Sequence, residues 1–125
     1  MNVSISNAEL ELMRVLWQQS PLNARQIAEQ LLERKWHRKT VNTLLSRLEN
    51  KAAVSKSKHA DGISYYTPLV DQQTYQQSAT SEFVDQIFEG QLAPLIACFA
   101  DVRKLSEKQI NELQEILKEL SDDND

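Results

Sequence analysis

The order in which the hydrophobic spacing changes along the first 70 residues constrains this chain more than any single motif. Three segments space their apolar residues at the helical period, and the next alternates as a strand does. Ser6-Asn7-Ala8-Glu9 opens the first helix as a capping box, the Ser6 hydroxyl and Glu9 carboxylate each satisfying a free backbone N–H. Ile5 and Leu10 stand at the staple positions. Leu10, Met13, Leu16 and Trp17 form the apolar stripe, and Ser20-Pro21 ends the helix. Asn23 and Gln26 repeat the capping pattern for a short second helix that buries Ile27, Ala28, Leu31 and Leu32. After the polar stretch Glu33–Arg38, a third helix is predicted from about Lys39 to Asn50. It turns Val41, Leu44, Leu45 and Leu48 inward and Asn42, Thr43, Ser46 and Arg47 outward. Val54 to Lys58 then alternates, His59-Ala60-Asp61-Gly62 is a turn, and Ile63 to Thr67 returns as a β-branched and aromatic strand stopped by Pro68. Three helices followed by a hairpin with lysines on one strand predict a winged helix-turn-helix domain over residues 1–70.

With only two glycines and three prolines in the chain, the remainder should also be helical. A longer helix is expected from Asp71 to Gly90, with Tyr75, Ala79, Phe83, Ile87 and Phe88 along one side. Gln91 to Phe99 reads as a short apolar helix that tolerates Pro94 near its first turn. Ser106 and Gln109 form a third capping box, between Leu105 and Ile110 at staple positions. The last helix places Ile110, Leu113, Leu117 and Leu120 at alternating spacings of three and four, a coiled-coil-like seam under two heptads long. These three helices cannot bury two apolar stripes alone. Residues 71–121 are therefore expected to be a dimerisation domain, with Phe83, Ile87, Leu95, Phe99, Ile110, Leu113 and Leu117 as contacts. Residues 122–125 should be a disordered acidic tail. The fold class is mainly α: a winged helix of three helices and a β-hairpin wing, then a three-helix dimerisation domain.

The net charge of −4 misleads unless the chain is divided. Residues 1–70 carry ten Lys and Arg against six Asp and Glu, whereas residues 71–125 carry four against twelve. Between Arg34 and Lys58, eight basic residues face Glu49 alone. A basic segment joined to an acidic helical one suits a phosphate-binding surface linked to a protein-binding one, although a solvated charged face has the same composition.

The third helix is the candidate DNA reader, because the second helix of a helix-turn-helix enters the major groove with its N-terminal residues toward base edges. Lys39, Thr40, Asn42, Thr43 and Arg47 are the candidate major-groove residues. Lys and Arg suit guanine edges or phosphate, Asn suits adenine, and the threonine methyl suits that of thymine. Arg38, Lys56 and Lys58 are the candidate backbone contacts. The two wing lysines also guard an edge strand against aggregation. Trp36 either packs under the motif or offers its indole N–H to phosphate. His37 and His59 are open to phosphate contact or plain solvation, and Trp17 is core.

Nothing points to catalysis. The two histidines lie outside any metal-ligand spacing, there is no glycine-rich phosphate loop, and Cys98 is the single cysteine. No cofactor or metal is expected. Cys98 sits between Ala97 and Phe99 and reads as a buried structural thiol, with a thiol redox sensor as the alternative. No apolar run approaches the roughly 20 residues of a membrane span, and no signal peptide opens the chain, so membrane insertion is not expected and the cytoplasm is the default.

The run Trp36-His37-Arg38-Lys39-Thr40-Val41-Asn42-Thr43-Leu44-Leu45-Ser46-Arg47-Leu48 resembles the recognition-helix segment of the penicillinase-repressor family (BlaI, MecI and CopY). Ile5-Ser6 through Glu9, Met13 and Leu16-Trp17 resembles the family's first helix. Leu95–Phe99 and Leu105-Ser106 through Ile110–Leu113 to Ile116-Leu117 match near the other end. The resemblance implies a homodimer that represses genes from a palindromic double-stranded operator, with Lys39, Asn42, Thr43 and Arg47 as the major-groove set. The position of Asn42 carries arginine in the penicillinase repressors. In antibiotic-responsive members a membrane antirepressor triggers proteolysis at an Asn-Phe bond; here the matching bond is Cys98–Phe99, with the asparagine replaced. Copper-responsive members carry a cysteine-rich C-terminal motif, absent from Ser121–Asp125. The competing reading is a winged-helix adaptor that binds a protein partner and no DNA.

Overall fold

The computed structural model describes residues 4–123. The elements in order are α1 (Asn7–Gln18), β1 (Leu22–Asn23), α2 (Ala24–Gln30), a 3-10 turn (Leu32–Arg34), α3 (Arg38–Asn50), β2 (Val54–Lys58) and β3 (Ser64–Pro68), followed by α4 (Gln72–Phe88), α5 (Leu92–Val102) and α6 (Glu107–Asp123). Two compact units divide within α4, at Thr80 and Ser81, beyond the boundary expected at residue 70.

The first unit is mainly helical with a small sheet, a winged helix. Both N-terminal capping boxes form: Ser6 N–H donates to Glu9 Oε1 at 2.9 Å and Glu9 N–H to Ser6 Oγ at 3.1 Å. Asn23 and Gln26 exchange the equivalent bonds at 2.9 and 2.8 Å. The core is Leu12, Met13, Leu16, Leu22, Ile27, Leu31, Val41, Leu44, Leu45, Leu48, Ala53 and Val54. The four inward residues expected of α3 are all there. The stripe of α1 is rotated from the expected one, because Leu12 is fully buried while Leu10 and Trp17 are only partly so. Leu32 is 72% exposed instead of buried. The chain tightens from α-helix to 3-10 turn just before it, and three residues per turn instead of 3.6 carries Leu32 off the Ile27–Leu31 stripe.

Trp17 does more than fill space. Its indole Nε1–H donates to the Val70 carbonyl at 2.9 Å, and its ring lies 5.8 Å from that of Tyr75 in α4. The first helix is thereby tied to the segment after the hairpin, which explains why the unit continues past residue 70. Trp17→Phe, which removes the donor and keeps an aromatic ring, should cost about 0.5–1.5 kcal/mol in urea unfolding of the full chain.

The sheet has the order β1-β3-β2, antiparallel throughout. The two-residue β1 pairs Leu22 with Tyr66 and Asn23 with Tyr65, and is too short to show a period in the sequence. Pro68 joins the ladder as the last residue of β3, opposite Val54, where its missing N–H is tolerated at a strand end. In the hairpin turn Gly62 adopts φ +80, the left-handed region that glycine enters without cost. Asp61 accepts from the Ile63 N–H and the Tyr65 hydroxyl, both at 2.9 Å; these bonds hold its carboxyl below the usual range. His59 stacks on Tyr65, with ring centroids 4.0 Å apart.

In the second unit Gly90, with φ +79, stops α4, and Ser106 and Gln109 cap α6 reciprocally at 2.9 and 3.1 Å. With no Gly or Pro to stop it, α6 continues through Asp122 and Asp123, which were expected in the tail. The rest of that tail, Asn124 and Asp125, lies outside the described residues. Phe83, Ile87, Phe99, Ile110, Leu117 and Leu120 are exposed, whereas Leu95 and Leu113 are partly buried. The Cys98 thiol, expected to be buried, is exposed: α5 buries no residue fully, and the half-buried Leu95 and Ala100 lie on another side of it. No helix among the described residues is long and apolar enough to cross a membrane.

Candidate nucleic-acid interface

The outward face of α3 is built by its own period. Val41, Leu44, Leu45 and Leu48 occupy the core side, so Lys39, Thr40, Asn42, Thr43, Ser46 and Arg47 are left at the surface. That surface divides into two flanks. Lys39, Thr40, Thr43 and Arg47 line one shallow groove of about 280 Å³, together with Leu44. The Thr43 hydroxyl donates to the Lys39 carbonyl at 2.9 Å. Arg38, Asn42 and Ser46 line a second groove, of about 520 Å³, between α3, the start of α2 and the sheet. Its other walls are Asn23, Ala24, Arg25, Lys56, Ile63, Ser64 and Tyr66. Residues four apart stay on one side of a helix while neighbours differ by about 100°, which separates the 38-42-46 row from the 39-43-47 row. Of the five candidate major-groove residues, Asn42 lies in the groove with Arg38 and Lys56, and the other four line the smaller groove.

The helix begins at Arg38, one residue earlier than expected, and His37 at its N-cap makes no side-chain capping bond. Lys56 faces the larger groove, opposite Tyr66 in the hairpin ladder. Lys58 lies two residues further along β2, exposed and opposite Ser64, and lines neither groove. Trp36 packs partly buried against the core.

Two cations of the basic run between Arg34 and Lys58 are paired with carboxylates. Arg34 donates to Glu11 Oε1 at 2.8 Å, and Lys51 Nζ lies 2.5 Å from Glu9 Oε1. Both carboxylates belong to α1. Glu9 is 1% exposed, and its Oε2 has no hydrogen-bond partner. Burial pushes the Glu9 carboxyl up, but the Lys51 ammonium and the Ser6 N–H and hydroxyl outweigh it and hold it below the ordinary 4.5. The cations facing the two grooves are Arg25, Arg38, Lys39, Arg47 and Lys56. Arg25 was missed because it stands alone in sequence, outside the dense basic run. Ser64 and Tyr66 were missed as groove residues because they read only as strand formers.

A helix with a polar outward face, set between a second helix and a lysine-bearing β-hairpin, defines a winged helix-turn-helix DNA-binding protein. The sequence matches the family described as "Penicillinase repressor" over residues 5–119, and this chain belongs to that family of winged-helix DNA-binding transcriptional repressors, which are not enzymes. It is 35% identical over 117 residues to the penicillinase repressor of Bacillus licheniformis, covering 92% of this chain and 90% of that one. It is 30% identical over 114 residues to the methicillin resistance regulatory protein MecI of Staphylococcus aureus (strain N315), covering 90% and 92%. Among solved structures, the DNA-binding domain of the repressor BlaI matches with a TM-score of 0.52 at 36% identity, over 60% of this chain and 94% of that one. The Bacillus licheniformis BlaI monomer in complex with the blaP half-operator matches with a TM-score of 0.51 at 37% identity, over 58% and 88%. MepR, a transcription regulator of a Staphylococcus aureus multidrug efflux pump, shares the fold at 19% identity and a TM-score of 0.51, over 98% and 82%.

Proposed function

We propose that this chain acts as a cytoplasmic homodimer that represses transcription from a palindromic operator, each protomer laying α3 in a major groove. The observation that carries this reading is the exposed polar face of α3, flanked by two grooves that hold Arg38, Lys39, Arg47 and Lys56. Lys39, Thr40, Asn42, Thr43 and Arg47 read base edges; Arg38, Lys56 and Lys58 hold the sugar-phosphate backbone. The complex of BlaI with a half-operator, and the 37% identity of this chain to that protein, support it. The exposed Phe83, Ile87, Phe99, Ile110 and Leu117, with the partly buried Leu95 and Leu113, supply the apolar surface of a dimer. An antirepressor that provokes cleavage at Cys98–Phe99 is the proposed inducing route. That bond lies inside α5, so a protease reaches an extended backbone there only after the helix opens locally.

The test is selection of duplexes from a random-sequence library by the full-length protein. The expected result is a two-fold symmetric consensus whose half-site centres are about 34–36 Å, or a multiple of that, apart. Lys39→Ala, Asn42→Ala and Arg47→Ala should each cost about 1–3 kcal/mol on the selected site and relax specificity where the side chain meets a base. A library that yields no enriched sequence would favour the adaptor reading. Enrichment that ignores all three substitutions would remove α3 as the reading helix.

A further inference from the structure

We propose that Arg25, at the start of α2, is a phosphate-positioning residue for DNA, and that Glu29 masks it in the free protein. The inference rests on the DNA-binding reading above and adds a residue and a regulating ion pair to it. Three cations, Arg25, Arg38 and Lys56, line one groove together with the polar side chains of Asn23, Ser64 and Tyr66. They come from three separate elements, α2, α3 and β2, so only the tertiary fold assembles them. The same groove borders Asn42 and Ser46 on the reading helix. A helix in a major groove has a sugar-phosphate strand on either side. The groove has the cations and the hydroxyl and amide donors that one such strand requires.

Among the described residues, Arg25 alone of these three cations has an ion pair, with Glu29 Oε1 at 3.0 Å from its Nη1, one helical turn further along α2. The side chains of Arg25 and Glu29 are 64% and 54% exposed, so water screens the pair and opening it costs little. Glu29 thus lowers the field that Arg25 presents to an approaching phosphate without locking the guanidinium in place. The planar guanidinium suits phosphate oxygens, which it binds through paired N–H donors.

The experiment measures affinity for the selected operator and for a random duplex across a salt series, using the full-length protein and its Arg25→Gln, Glu29→Gln and double variants. Circular dichroism confirms that each variant folds. Arg25→Gln should weaken binding to both duplexes by a similar factor, roughly three- to tenfold at low salt, and lower the log–log salt slope by about one. Glu29→Gln should tighten binding, and the gain should disappear in the Arg25→Gln background. An unchanged salt slope for Arg25→Gln, with wild-type binding intact, overturns the phosphate contact and leaves the DNA reading standing. A Glu29→Gln gain that persists in the double variant overturns the mask, since it then reflects bulk repulsion. Wild-type protein that binds neither duplex overturns both this inference and the DNA reading.

Discussion

A chain truncated after Thr80 is expected to bind a full operator roughly 10²–10⁴-fold more weakly than the intact protein, because the proposed dimer would be lost and each half-site engaged independently. The position of the cut follows from the fold. Residues up to Thr80 belong to the first compact unit, and they include the Val70 carbonyl and the Tyr75 ring that Trp17 engages. A cut after Leu69 would remove both partners and confuse lost folding with lost avidity. The truncated chain should sediment as a monomer and unfold cooperatively. Its affinity for a single half-site should match that of the full-length protein. The driving force at stake is apolar: Ile87 is 61% and Leu117 58% exposed, and burial of such side chains yields about 25 cal/mol per Å². Leu117→Asp in the intact chain should reproduce the loss without changing the first unit. A truncated chain that dimerises would move the proposed interface into the winged-helix unit.

The second large effect concerns stability. Glu9→Ala should destabilise the winged-helix unit by about 2–4 kcal/mol, because it removes the N3 member of the capping box and leaves Lys51 without its partner. Glu9→Gln retains the reach of the side chain to the Ser6 N–H and loses only the charge, so it should cost less. The pairing also makes stability depend on pH. The Glu9 carboxyl is held below 4.5 in the folded state, so its contribution is complete above the ordinary glutamate range. It fades as the pH falls from about 4.5 through the lowered folded-state value, where the unfolded chain takes up the proton first. Urea midpoints of wild type and Glu9→Gln should therefore converge as the pH falls through that window. A constant gap down to the acid limit would show that the charge contributes nothing.

Much of the fold is legible in the sequence because its signals are short-range. The caps at Ser6, Asn23 and Ser106 each rest on a residue three positions away, and all three form. The inward face of α3 follows from spacing alone and is correct at all four positions. Where the structure differs from the sequence expectation, a tertiary contact or a change of helix type intervened. Leu32 left the core because α2 gave way to a 3-10 turn. Cys98 is exposed because an apolar run shows how hydrophobic a helix is, not which of its sides finds a neighbour.

The basic run between Arg34 and Lys58 shows the division most clearly. Its position in the chain, the alternation of helix and strand around it, and the outward direction of Asn42, Thr43 and Arg47 were determined by the sequence itself, through caps and hydrophobic period. The tertiary structure alone decided which cations pair with carboxylates of α1 and which line the two grooves. It brought Lys51 to Glu9 across 42 residues and Arg34 to Glu11 across 23, and it set Arg25 beside Arg38 and Lys56. A charge has no period: its partner is whichever group the packed helices carry within a few ångströms, and Coulomb attraction at that range depends on distance in space rather than in sequence.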